Sequence, residues 1–304
     1  MSPPAERGFP LRKLSNIQYP ESGIGPSFLH LPLKIIFSFD IPPNLYENAL
    51  HNGWCFLSPA ETAMDEKFTF HKISSPGYLQ EAYRLRFQVY CRECNFIKES
   101  DYPEGFETDA FDEYSAHFGA FDLQGRMVGA VRLILPSSPR FPVEEHCPPL
   151  EIDRNLISRQ SCAEVSRLTI SKLYRRRAQD GLYYEPRVED KRVEDRGSSF
   201  LRRVRPMAFG LYRAMYHESK RAGIRYWLAL MEKGLWKLLH IHGFVFRPIG
   251  PEVDFLGRVR PYLGDLRDLE TGVLARFPQF YEYFMAGLEP ELKPEHFSGG
   301  SGGN

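Results

Sequence analysis

"AHFGAFDLQGRMVGAVRLIL", residues 116–135, decides the fold class. Two largely apolar runs flank Gln124 and Gly125, so the stretch reads as a β-hairpin with a Gly-containing turn. Upstream, "KFTFHKIS" (67–74) reads as a strand. In "GYLQEAYRLRFQVYCREC" (77–94), Leu79, Ala82, Tyr83, Leu85, Phe87, Val89 and Tyr90 fit an amphipathic helix. Downstream come a strand, "AEVSRLTIS" (163–171), and a helix ending at Gly223, with Pro206 marking its start or a kink. A buried strand, "IRYWLALM" (224–231), a short helix ending at Gly243 and a further strand, "FVFRPIG" (244–250), complete the order. An early antiparallel hairpin followed by strand–helix units predicts an α/β fold, a mixed β-sheet flanked by helices.

This folded part is expected over residues 67–285. Residues 1–66, rich in Pro and Gly, read as an N-terminal leader, and residues 286–304, closing on "SGGSGGN", as a flexible C-terminal tail. The 304 residues carry 39 basic and 39 acidic side chains, so no global field draws the chain to nucleic acid or an anionic membrane. Neither a secretory signal nor a run of about 18 apolar residues is visible, and five sparse cysteines do not make a disulfide framework. A cytoplasmic protein without a transmembrane segment is the expectation.

The local charge pattern is more telling. Between Glu99 and Glu113 stand seven acids and no Lys or Arg, while Arg86 and Arg132 sit in apolar elements and Glu164 and Arg167 share one strand. Charges in apolar elements need partners. Asp109 and Asp112 can therefore fold against Arg86, Arg132 or Arg167. Such a network either braces the fold or complements a substrate bearing both an ammonium and a carboxylate, and spacing alone leaves both open.

Arg86, Tyr90 and Phe96 in "RFQVYCRECNF", the stretch "EGFETDAFD" (104–112), Arg132, Phe141 and "EVSR" (164–167) together resemble the pattern of acyl-homoserine-lactone autoinducer synthases. These belong to the GNAT superfamily, whose relatives include N-acyl amino acid synthases and acyltransferases of PEP-CTERM/exosortase systems. The stretch "HGFVFRPIGPEVDFLGRVRPY" (242–262) looks most like the last group. The resemblance implies a GNAT-like fold and transfer of a fatty acyl group from a thioester, on acyl carrier protein or coenzyme A, to the amine of an amino acid or related metabolite. Homoserine-lactone synthesis from S-adenosylmethionine and a non-catalytic acyl-carrier- or lipid-binding module are the alternatives. Acyl-ACP or acyl-CoA would be a co-substrate, with no permanently bound cofactor and no metal.

The resemblance also implies that Arg86, Asp109, Asp112 and Arg167 close the amine site, with Tyr90, Phe96, Arg132 and Phe141 beside them. Tyr90 stands where autoinducer synthases favour Phe, and Phe96 where they favour Trp. An attacking amine must lose a proton, and Glu164 is the candidate base. In an ideal strand Arg167 points away from Glu164, so both reach one site only if the strand bulges between them.

Residues 172–205 hold eleven bases against six acids. They are either a solvated, salt-bridged helix face or a dock for phosphates at the following helix's start or for an acidic carrier protein, for which Arg175, Arg176, Arg177, Arg202 and Arg203 are the candidates. Cys91 and Cys94 lack a second ligand pair and read as core thiols. His240 and His242 read as cap or core residues.

Overall fold

Gly125, at φ 74°, reverses the chain between β2 (Ser115–Asp122) and β3 (Met127–Ile134), as the hairpin reading expects. Asp122 pins the turn by accepting from the backbone N–H of Gln124 and Arg126 at 3.0 and 2.9 Å. The computed structural model describes residues 67–172 and 193–295, with side chains of the second part from Met207 onward. The leader 1–66 lies outside the described residues.

The remaining elements are β1 (Phe68–Ile73), α1 (Pro76–Phe87), a short α2 (Pro142–His146), β4 (Cys162–Ile170) and α3 (Val193–Arg221). After them come β5 (Tyr226–Met231), α4 (Lys233–Ile241), β6 (Arg247–Pro248), β7 (Val253–Asp254), β8 (Arg258–Asp265), α5 (Leu266–Arg276) and α6 (Pro278–Met285). Main-sheet order is β1-β2-β3-β4-β5-β8-β6, with β7 paired to β8. Only β4 and β5 run parallel; every other neighbouring pair is antiparallel. The mixed sheet is thus observed.

Three expectations shift. β8 enters the sheet between β5 and β6, a position that Pro261 disguises because proline lacks the N–H of a ladder donor. α3 begins at Val193, inside the basic stretch 172–205 and ahead of the helix start or kink expected at Pro206, and runs through that proline. Order also continues past Met285: Leu288 is 3% exposed in the main core.

Both faces of the central strands are covered, so β2 and β3 are buried along nearly their whole length. On one face Val131, Leu133, Val165 and Trp227 pack against Leu211, Tyr212 and Met215 of α3 and Phe280 and Phe284 of α6. On the other, Ile73, Phe121 and Ala130 meet Ala82 of α1. Each such large side chain contributes roughly 1.5–3 kcal/mol on burial. Trp227 also donates its indole N–H to Ser219 Oγ at 2.9 Å, tying β5 to α3.

The α4–α5 packing depends on one backbone contact. Gly243, at φ 86° just past α4, sits so close to α5 that a Cβ there would lie 2.5 Å from the Gly272 carbonyl oxygen. Gly243→Ala is therefore expected to destabilise by at least about 2 kcal/mol, combining left-handed strain with a clash against backbone that cannot yield. Urea denaturation checks it, and a loss below about 0.5 kcal/mol would refute the contact.

Candidate active site

β4 and β5 start as a parallel pair and then part. Their register runs from Cys162 opposite Tyr226 to Val165 opposite Ala229, and no pairing joins them beyond. β5 continues against β8 through Met231, while β4 continues against β3. Strand edges that would have paired face a gap instead. On the β3 side the register slips: Arg132 opposes Ser166 and Ala130 opposes Thr169, so Arg167 and Leu168 together oppose Val131. Arg167 takes φ 54°, a left-handed conformation that costs a non-glycine residue on the order of 1 kcal/mol. This is the bulge that the Glu164–Arg167 spacing requires, and it turns Arg167 to the side of Glu164.

The gap widens into a cleft of about 840 Å³ including its open mouth. Its walls are mainly apolar, with Leu168 and Val165 from β4, Tyr212 from α3, Met231 and Leu235 around the end of β5, and Phe255, Leu256 and Val259 from the chain entering β8. α1 gives way at its end to one turn of π-helix, Gln88–Glu93, a wider winding often found beside functional sites. Phe96 and Ile97 then donate to the Tyr90 carbonyl at 2.9 and 3.4 Å. That fold-back sets Tyr90 and Phe96 together as an aromatic wall, ring centroids 6.4 Å apart.

Behind this wall three arginines and three carboxylates close on one another. Arg86 donates through Nε to Glu107 and through Nη1 to Asp112 Oδ1 at 2.6 Å. Arg132 reaches Asp112 Oδ1 at 2.8 Å, Asp109 Oδ2 at 3.1 Å and, through Nε, Ser166 Oγ at 3.0 Å. Arg167 completes the ring, donating to Glu107 Oε1 and Asp109 Oδ2, each at 3.0 Å, with its guanidinium over the Tyr90 ring. Burial opposes ionisation of the three acids, yet the arginines beside them hold every one below its ordinary range. The network is neutral as a whole, and it clamps the acidic loop onto β3 and β4.

Glu164 differs from the three acids of the network. It is 1% exposed, and its Oε2 accepts from the Val143 N–H of α2 at 3.0 Å. Burial pushes its carboxyl up to about 8, against the smaller opposing pull of that hydrogen bond and of Arg132. Across the cleft, Glu232 follows β5 directly, and burial pushes its carboxyl up to about 7. Although Glu232 occupies the N-cap of α4, its side chain does not cap that helix.

The structure therefore brings Glu164, Arg167, Tyr90 and Phe96 together on the cleft wall. Arg86, Arg132, Asp109 and Asp112 stand behind it, linked through Arg167. Phe141 is fully buried in the cluster around Ile134, its ring under the Arg159 guanidinium 4.2 Å away, and does not line the cleft. Arg175, Arg176 and Arg177 lie outside the described residues; Arg202 and Arg203 lie in α3 where side chains are not described. Cys91 and Cys94 are buried free thiols, and burial raises Cys91 to about 11, too high for a ready nucleophile. His242 is a core residue bonded to the Leu238 carbonyl at 2.7 Å. Glu107, Ser166 and Glu232 were not singled out from sequence. Glu107 sat unremarked among seven acids, and Glu232 looked like the ordinary polar start of a helix.

The profile of the acetyltransferase (GNAT) domain family matches residues 85–184, about a third of the chain. Those residues contain the π-turn, the hairpin and the bulged β4, and the splayed mixed sheet is GNAT-like. No curated protein sequence matches. Among solved structures, the acyl-homoserine-lactone synthase LasI is 16% identical, covering 69% of this chain and 94% of its own at a TM-score of 0.47. BjaI, a CoA-dependent acyl-homoserine lactone synthase, is 20% identical, covering 69% and 89% at 0.49. FeeM, an N-acyl amino acid synthase from uncultured soil microbes, is 12% identical, covering 69% and 97% at 0.43. At such identities the substrate has to be argued from the site itself.

Proposed function

We propose that this chain is an N-acyltransferase that moves a fatty acyl group from a thioester, carried on coenzyme A or acyl carrier protein, to the amine of an amino acid or related metabolite. The observation that carries this reading is the parting of β4 and β5 over a mainly apolar cleft with a buried carboxyl, Glu164, at its base. An acyl-thioester arm is an extended amide chain on an apolar tail, and separated strand edges offer it backbone groups to pair with. A backbone N–H at the bulge can meet the thioester carbonyl oxygen as charge develops there.

In the proposed reaction the acceptor's ammonium gives one proton to the Glu164 carboxylate, which passes it to solvent. The freed lone pair attacks the thioester carbon. As the tetrahedral adduct collapses, the carbon–sulfur bond breaks and the nitrogen's second proton goes to the departing sulfur. The products are an amide and a thiol. Arg167, held by Glu107 and Asp109, positions Tyr90 and the bulge. A cytoplasmic site of action and a place beside a PEP-CTERM/exosortase system belong to the same proposal, the latter resting only on residues 242–262. These residues supply Phe255, Leu256 and Val259 to the cleft.

Cells expressing the protein are expected to accumulate N-acyl amino acids that are missing from cells carrying Glu164→Gln. Mass spectrometry of lipid extracts decides it. An acyl-homoserine lactone that vanishes in the variant would move the acceptor to S-adenosylmethionine, and no new acyl-amine would favour a non-catalytic lipid-binding module.

A further inference from the structure

We infer that Glu232 holds a positive charge of the acceptor other than the amine that is acylated, so that the preferred acceptor is an amine bearing a second cation, as diamines and basic amino acids do. This rests on the acyltransferase reading and names the acceptor class within it.

The charges facing the cleft support it. Each acid of the network behind the wall is met by arginine, whereas the Glu232 carboxylate makes no hydrogen bond or ion pair with a described residue, and burial alone accounts for its raised pKa. The one cationic side chain among the described residues lining the cleft, Arg167, is already engaged by Glu107 and Asp109. The lining therefore presents a half-buried anion with no partner among the described residues. Its neighbours fix where that anion stands. Glu232 Oε1 and the Phe96 ring both come within ordinary contact of a Cβ placed on Gly257, at 3.4 and 3.5 Å. Glu232 thus stands beside the aromatic wall and the chain entering β8.

Position along the strands separates its role from that of Glu164. Glu164 lies opposite Leu228 in the β4–β5 register, and Glu232 is four residues further along, about 13 Å at the rise of an extended strand. The amine that loses its proton at Glu164 and the charge that faces Glu232 are then different atoms of the acceptor. A carboxylate left unpaired in an apolar cleft is desolvated at a loss, and a ligand cation recovers it.

The pH dependence has a definite sign. Glu232 becomes an anion as pH rises through about 7, so the preference for a second cation is present above that value and fades below it. The titratable groups sharing the cleft are Glu164 and Arg167 on β4, Tyr90 and Tyr212. Arg167 stays charged and both tyrosines stay neutral across pH 6–8, while Glu164 titrates higher, at about 8.

The experiment uses the full chain, with 1,5-diaminopentane against pentylamine and lysine against norleucine. Affinity is read from ligand-dependent melting shifts, and turnover from thiol release with octanoyl-CoA. At pH 8 the dicationic member of each pair is expected to bind at least tenfold more tightly, with the ratio falling toward one at pH 6 and in Glu232→Gln. Equal affinities within each pair, or a ratio that survives both pH 6 and the variant, would overturn the inference. Because Glu164 also gains charge between pH 6 and pH 8, the variant at pH 8 separates the two carboxylates, and Glu232→Ala takes its place if the glutamine variant fails to fold. Thiol release that fails with every acceptor while the affinity ratio stands would instead remove the acyltransferase reading and leave Glu232 as a cation-binding group.

Discussion

Glu164→Gln is expected to lower turnover at least a hundredfold while leaving thioester binding intact, and to make the protein more stable at alkaline pH. The two effects have one cause. Glutamine keeps the shape and can still accept from the Val143 N–H, but it can take no proton from an ammonium. Because the folded carboxyl sits near 8, only roughly a tenth of the wild-type molecules carry the base form at pH 7, so wild-type turnover should climb through about pH 8 and level off. Stability runs the other way. A carboxyl whose folded pKa is raised contributes fully below its ordinary value, 4.5, and loses that contribution as pH rises through about 8, because folding must then either hold the proton or bury the charge. The loss, a few kcal/mol in all, is escaped by glutamine. Rates from pH 6 to 9.5 and urea denaturation at pH 6 and 9 test both halves. A Gln variant with wild-type turnover would move the base elsewhere, and one no more stable than wild type at pH 9 would mean that the Glu164 charge is solvated.

That Glu164 could be singled out from sequence, and Glu232 could not, follows from what each environment reveals locally. Glu164 interrupts an apolar strand, and a charge inside such a run signals a partner or a task. Its spacing to Arg167 also implied a bulge, which the structure supplies at Arg167 and Leu168. Glu232 follows "LALM" and precedes a helix, where acids are common, and only the approach of Phe96 and Gly257 from distant segments gives it a cleft to face. The hairpin and β5 were legible because their burial is written in continuous apolar runs. β8 was not: Arg258, Arg260 and Pro261 hide a strand whose apolar residues are paid for by contacts with β5 across the sheet. Likewise the arginines of the network stood out singly, whereas which of seven acids would meet them depended on a loop conformation that no periodicity encodes. Asp109 and Asp112 were anticipated; Glu107, which bridges Arg86 and Arg167, was not.

Arg132→Met is expected to cost about 3–5 kcal/mol, enough to leave a domain of ordinary stability partly unfolded at 37 °C. Arg132 is 1% exposed and is the one group joining Asp109, Asp112 and Ser166. Methionine matches much of its volume, so the loss is electrostatic. Two carboxylates that burial disfavours would each lose a guanidinium, and the loop they anchor would lose its hold on β3 and β4. The pH dependence distinguishes this from a packing defect. Carboxyls held below their ordinary range contribute stability that is present above about pH 4 and is lost as pH falls through their depressed folded values, so the wild-type network should endure into strong acid. In Arg132→Met the folded values of Asp109 and Asp112 rise, and stability should begin to recover toward wild type as pH falls to about 4 and the stranded acids take up protons. Adding Asp109→Asn and Asp112→Asn to Arg132→Met should recover part of the loss at neutral pH for the same reason. A deficit that is equal at pH 4 and pH 7, and that the two asparagines do not relieve, would show that Arg132 acts through its bulk and that the closed ring of charges is not what secures the loop behind the cleft.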